Sequence, residues 1–161
     1  MKTISLVILL FLSFCGCEKD DICIDPITPD FIIRFRDILD ASKTKAASNL
    51  QIKNIDIDSI YRENIDTTDS ITIPLNVNQT SSTYVLSINS TDTNLINSDT
   101  LTINYSLETV FVGRACGFKT VFNTVVISLT ADSDNWIKSI IPSNSPLNVT
   151  TQTEAHVEIL H

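Results

Sequence analysis

The sequence is 161 residues long, with nineteen Asp and Glu against eleven Lys and Arg, a formal net charge of −8 and only three glycines. That length allows one ordinary domain with a real hydrophobic core. Acidity without a basic patch argues against nucleic acid as a partner, because neutralising phosphates needs clustered Lys and Arg, and it equally disfavours adsorption to anionic lipid headgroups.

The chain opens on Met1-Lys2, runs apolar from Ile4 to Phe14, and places Gly16 directly before Cys17. A positive start, a short apolar run and a small residue at the cut describe a secretory signal. The run falls well short of the ~20 residues of a spanning helix. Ending on Gly-Cys resembles a bacterial lipoprotein signal, in which the cysteine is acylated and becomes the first mature residue. The expected organisation is a signal peptide over 1–16, a lipidated acidic tether over 17–30 and a folded domain over 31–161. Removing the signal leaves 145 residues and takes Lys2 with it, so the mature net charge is −9. Such acidity also serves simply to keep an exported domain soluble. Cys15 leaves with the signal and Cys17 takes the lipid, which leaves Cys23 and Cys116. In an oxidising compartment these two are expected to pair, the alternative being two free buried thiols.

Pro26 and Pro29 restrict the backbone at the entry to the domain. Phe31-Ile-Ile-Arg-Phe-Arg36 then alternates apolar with basic residues, as a half-buried strand does. The polar stretch Asp37 to Ser48 reads as a loop with room for a short helical turn. Leu50 and Ile52 start a second strand, and Ile55 and Ile57 continue its pattern after a slip at Lys53-Asn54, which a β-bulge or a change of strand would explain. Asp69 to Val77 is a third strand with Ile71, Ile73, Leu75 and Val77 inward. Pro74 removes a ladder donor, which places that strand at a sheet edge. Tyr84, Leu86 and Ile88 mark a fourth strand, and Ser90 to Ser98 a loop. Leu101 to Glu108 alternates without fault, its register shifts at Glu108-Thr109, and Gly113-Arg-Ala-Cys-Gly117 turns the chain into a return strand over Phe118 to Thr130. With glycine so rare elsewhere, Gly113 and Gly117 are expected to hold backbone conformations closed to other residues. Asp134 to Ile141 fits a capped helix or a strand equally. Leu147 to Val149 and Ala155 to His161 are expected to close the fold. Seven to nine short strands without βαβ alternation predict an all-β, two-layer antiparallel β-sandwich of Greek-key type, with a closed barrel as runner-up.

Several of these elements together resemble a known family. Cys17-Glu-Lys-Asp-Asp-Ile-Cys23, Phe31-Ile-Ile-Arg-Phe35, Asp69-Ser-Ile-Thr-Ile-Pro-Leu75, Arg114-Ala-Cys-Gly-Phe-Lys119, Asn135-Trp-Ile137 and Ala155-His-Val-Glu-Ile-Leu-His161 are similar to an uncharacterised envelope lipoprotein family of Bacteroidota, a domain of unknown function. The resemblance implies a Gram-negative envelope lipoprotein with a disulfide and brings no activity with it. Acidic residues just after a lipidated cysteine also resemble the signal that sends lipoproteins of that phylum to the cell surface. Glu18-Lys19-Asp20-Asp21 fits that type, and a charged tether on the periplasmic face looks the same.

Candidates for chemistry are sparse. His156 and Glu158 share one face of the last strand, with His161 on the other, and these are the only histidines. Two same-face ligands begin a metal site at best, so His156 and Glu158 are weak metal candidates and a solvated strand face is the plainer reading. Cys116 lies near Arg114 and Lys119, which would lower a thiolate's pKa, but a structural disulfide is the commoner explanation. Carboxylates pair at Asp56/Asp58, Asp66/Asp69 and Asp132/Asp134 without a cleft fixed between them. Asp132-Ser-Asp-Asn135 lacks the glycine and distal glutamate of a calcium loop. The sequence therefore predicts no cofactor and a non-enzymatic binding or envelope-organising module. The module would be held to the outer membrane by acylated Cys17 and would contact an envelope protein or glycan. The alternative is a small metal-dependent or other hydrolase near His156 and Glu158.

Overall fold

The computed structural model describes Cys23 and residues 28–65 and 69–161. The predicted signal peptide, lipidation site Cys17 and acidic run Glu18, Lys19, Asp20 and Asp21 lie outside the described residues.

Among the described residues nine strands run β1 Phe31–Arg36, β2 Leu50–Asn54, β3 Ser59–Ile65, β4 Ser70–Ile73, β5 Ser81–Ile88, β6 Asn97–Gly113, β7 Gly117–Leu129, β8 Ser139–Pro142 and β9 Val157–Leu160. They form two sheets, one ordered β4-β1-β9-β8 and the other β3-β2-β5-β6-β7. Neither closes into a barrel, and the fold is a β-sandwich. All pairings are antiparallel except β1 with β9, where Ile33 lies beside Val157 and Phe35 beside Ile159. The C-terminal strand thus sits in the middle of the smaller sheet, between β1 and β8.

The core follows from the two-residue period of the strands. Phe31, Ile33 and Phe35 from β1, Ile71 and Ile73 from β4, and Val157 and Ile159 from β9 face Leu50, Ile52, Tyr84, Leu86, Leu101, Ile103 and Phe122 of the larger sheet. Fully burying each such side chain contributes about 1.5–3 kcal/mol. Polar groups caught in the core are paired. Tyr105 donates from its hydroxyl to the Asn76 carbonyl at 2.9 Å and receives the Ser82 hydroxyl at 2.7 Å. Burial raises the Tyr84 phenol to a pKa of about 12, and its hydroxyl donates to the Pro74 carbonyl.

Several expectations change. β4 is an edge strand, as Pro74 required, but it stops at Ile73, and Val77 is exposed because the chain leaves the sheet at the proline. The slip at Lys53-Asn54 is a change of strand: a turn over 55–58 reverses the chain into β3, and Ile55 and Ile57 point into solvent. The residues from Asp134 to Lys138 are not helical, and the strand begins only at Ser139. Leu147 to Val149 makes a single bridge, Val149 to Phe122, along the outer edge of β7. The long hairpin shifts register not at Glu108-Thr109 but at two other places, between Phe111 and Gly113 beside the turn and between Asn104 and Ser106, opposite Thr124, whose φ is 50°. Asn148 meets that irregularity, its side-chain oxygen accepting the Thr124 N–H at 2.8 Å.

Candidate functional site

The turn between β6 and β7 holds the one covalent link among the described residues. Cys116 is bonded to Cys23, their Cα atoms 4.9 Å apart, so the segment before β1 is tied to the far end of the long hairpin. A second tie runs beside it, from the Thr120 N–H to the Thr28 hydroxyl at 3.3 Å. Gly117 has φ 68°, a conformation that strains any side chain, whereas Gly113 does not take the left-handed region. One of the two turn glycines is therefore required by backbone geometry. Cys116 has no thiol to ionise, so a nucleophilic role is closed to it while the bond stands. Arg114 is exposed, and Lys119 turns away to donate its ammonium to the Thr150 carbonyl at 3.2 Å.

His156 and Glu158 are brought close in sequence but committed to different partners. The His156 ring stacks on Phe31 at 5.5 Å between centroids. Its Nδ1 accepts the Ile32 N–H at 2.9 Å, which leaves the proton on Nε2 to donate to the Thr151 carbonyl at 2.8 Å. Both ring nitrogens are thus spent on backbone. One oxygen of Glu158 takes both Nε and Nη2 of Arg36, at 2.9 and 2.7 Å. His161 lies edge-on to Phe35 and Trp136, and its Nε2 donates to the Lys45 carbonyl at 3.3 Å. Among the described residues, no group of three or more His, Cys, Asp or Glu side chains is placed to hold a metal ion.

Burial lowers the pKa of both histidines below the ordinary 6.5. A group whose folded-state pKa is depressed contributes stability that is whole above its unfolded value and is lost as pH falls toward the folded one. The melting temperature should therefore decline as pH drops below 6.5, and His156→Gln should flatten that decline in a melting series over the same range.

The paired carboxylates shape turns. Asp56 accepts the Thr83 N–H at 3.0 Å, and Asp58 pairs with Lys53 at 2.7 Å, the ammonium holding its carboxyl below the usual range. Asp66 lies outside the described residues, while Asp69 accepts the Phe35 N–H through its backbone carbonyl at 2.8 Å. Asp132 accepts the Asp134 N–H at 3.0 Å, and its own N–H goes to the Asn135 side chain at 2.9 Å. A carboxylate that strand periodicity did not single out, Asp99, is fully buried. Its two oxygens accept the Ile137 N–H at 2.7 Å and the Asn135 amide at 3.0 Å, beside the Trp136 indole N–H bonded to the Leu86 carbonyl at 3.0 Å. The signal for it was an Asp at an inward position of an otherwise apolar alternation.

The concavities that follow are open, and polar and apolar side chains share their walls. One of about 650 Å³ lies between Thr124–Val126 and the loop from Pro142 to Leu147. Another of about 520 Å³ has Arg34, Glu154 and Glu158 in its lining. Hydroxyls, amides and charged side chains on open ground suit contact with another macromolecule better than enclosure of a small substrate.

Fold and site together define a nine-strand β-sandwich whose N-terminal entry is tied by a disulfide to its longest hairpin. Residues 49–161 match the model of a family of unknown function, DUF6452, and the chain belongs to that family. The match takes in every strand from β2 onward, with the Arg114-Ala-Cys-Gly117 turn, and leaves β1 and Cys23 outside it. No curated protein and no solved structure matches the chain.

Proposed function

We propose that the protein is an envelope lipoprotein held to the outer membrane through acylated Cys17, and that its β-sandwich is a binding or envelope-organising module for an envelope protein or glycan. The Cys23–Cys116 bond carries this reading. Bonds of this kind persist in exported, oxidising compartments, and the pair uses the two cysteines left once Cys15 is cleaved off and Cys17 is acylated. The acidic run Glu18-Lys19-Asp20-Asp21 favours the cell surface over the periplasmic face. Open concavities and paired carboxylates favour binding over hydrolysis near His156 and Glu158, where the ring nitrogens and the carboxylate already have partners.

Intact mass of protein purified from the native membrane fraction, with and without reduction, tests the reading. The expected mass is that of residues 17–161 plus lipid, with two thiols appearing only after reduction. A mass without lipid would sink the anchor, and thiols present before reduction would sink the bond.

A further inference from the structure

Among the exposed apolar side chains, two phenyl rings stand at the tip of the β6–β7 hairpin. Phe111 and Phe118 stand directly opposite one another in the ladder, their rings edge-to-face with centroids 5.2 Å apart. They are nevertheless 58% and 63% exposed. The two-residue period puts them on the same face as the Leu107–Phe122 pair. Phe122 is fully buried and Leu107 is 37% exposed, so this apolar row runs out of the core as it nears the turn.

Charge is sorted the same way. Residues 109–131 contain no Asp or Glu, in a chain that has nineteen, and they carry Arg114 and Lys119 on the two sides of the turn. The hairpin tip itself is thus cationic, and the carboxylates that the disulfide joins to it belong to the tether, Asp21 and Asp25 lying two positions to either side of Cys23.

The chain outside the described residues also ends here. Cys17 lies six residues before Cys23, a span of about 20 Å when fully extended. Since Cys23 is bonded to Cys116, an acyl group on Cys17 keeps the turn within about 25 Å of the bilayer. The strand β6 alone covers about 55 Å if straight. Of the two ends of the hairpin, the membrane-proximal one is thus the end whose strands carry exposed phenyl rings and the exposed guanidinium side chain of Arg114.

We propose that the hairpin tip docks on the bilayer that carries the anchor, with Phe111 and Phe118 at the boundary between headgroups and acyl chains and Arg114 on lipid phosphates. Aromatic rings settle at that boundary, and a guanidinium fits phosphate oxygens bidentately. The disulfide supplies the proximity, and the docked tip fixes the orientation of the sandwich on the membrane. The proposal rests on the lipoprotein reading.

Its test uses the full acylated protein carrying Phe118→Trp or, separately, Phe111→Trp. Each is reconstituted into vesicles of phosphatidylethanolamine and phosphatidylglycerol, with plain or brominated acyl chains. The native Trp136 is only 6% exposed and serves as the background in the unsubstituted protein. The expected result is a blue shift of the added indole emission in plain vesicles and loss of most of it in brominated ones, with the Trp136 signal unchanged. Adding Arg114→Glu should restore part of the lost emission. Both positions are exposed, so each variant should melt as the parent does, and either one suffices if the other fails to fold. A lipidated intact mass with equal added emission in both kinds of vesicle overturns the docking and leaves the lipoprotein reading standing. A mass without lipid overturns both.

Discussion

The two ends of the β6–β7 hairpin are built from the same alternation and meet opposite fates. At the base, Leu101, Ile103, Tyr105 and Phe122 are buried, Tyr105 and Phe122 packing edge-to-face at 4.9 Å, and Asp99 clamps the segment 135–137 beneath them. At the tip, Phe111 and Phe118 hold the same kind of contact in solvent, and a disulfide with one hydrogen bond beside it, Thr120 to Thr28, ties this end to the described chain before β1. The difference lies in what stands opposite. β6 has seventeen residues, whereas the strands of the facing sheet have four or six. At about 3.3 Å per residue, strands that short cover only part of so long a hairpin. Alternation sets which face a side chain takes, and the length of the partner sheet sets whether that face is dry.

Four changes probe this contrast, the largest first. Phe122→Ala removes a fully buried ring from the last part of the hairpin that the core still covers and should cost about 3–5 kcal/mol, read as a shift in the denaturant midpoint at unchanged m-value. A loss near zero would mean that the base is no better packed than the tip.

Replacing both Cys23 and Cys116 by Ser should cost about 2–5 kcal/mol, the bond closing a loop across 93 residues. The regional signature is sharper than the total. Amide exchange should accelerate at 111–119 well before it does at 99–105, because the tip loses its covalent tie while the base keeps its core. Uniform acceleration along the hairpin would show that tip and base open as one unit.

Asp99→Ala leaves the Ile137 N–H and the Asn135 amide without an acceptor in a buried setting, at a cost of about 1–3 kcal/mol. The near-UV circular dichroism of Trp136 should fall with it, since its indole sits in the segment that Asp99 pins. An unchanged signal would assign the placement of Trp136 to packing alone.

What was legible in the sequence followed from one-sided burial. Phe31 to Arg36, Tyr84 to Ile88 and Leu101 to Glu108 alternate because one face of each meets the core, and Pro74 marked an edge because it has no N–H to give. β3 was missed for the opposite reason: in Ser59-Ile-Tyr-Arg-Glu63 both Ile60 and Tyr61 are exposed, so neither face carries a period. The adjacent apolar residues Trp136 and Ile137 fitted a helix because helical spacing is the usual way to bury neighbours. Here an extended segment buries both, its backbone N–H satisfied by a carboxylate 38 positions away. Pairing of β1 with β9 joins the two ends of the domain, and no local pattern records such a contact. The paired cysteines were read from their number, and because Cys116 lies in the glycine-flanked turn, their pairing also placed the tie between that turn and the tether.

The smallest expected effect is the most telling. Phe118→Ala removes the same side chain as Phe122→Ala, four positions along the same strand and on the same face. In solution it should change stability by no more than about 0.5 kcal/mol, because the ring is 63% exposed and has little burial to lose. The edge-to-face contact with Phe111 adds little when both rings remain wet. A loss close to that of Phe122→Ala would mean that the tip is covered in solution, which would take the contrast away. A near-zero loss leaves two phenyl rings that folding does not need. Their energetic role must then lie outside the domain, which is where the membrane measurement looks for it.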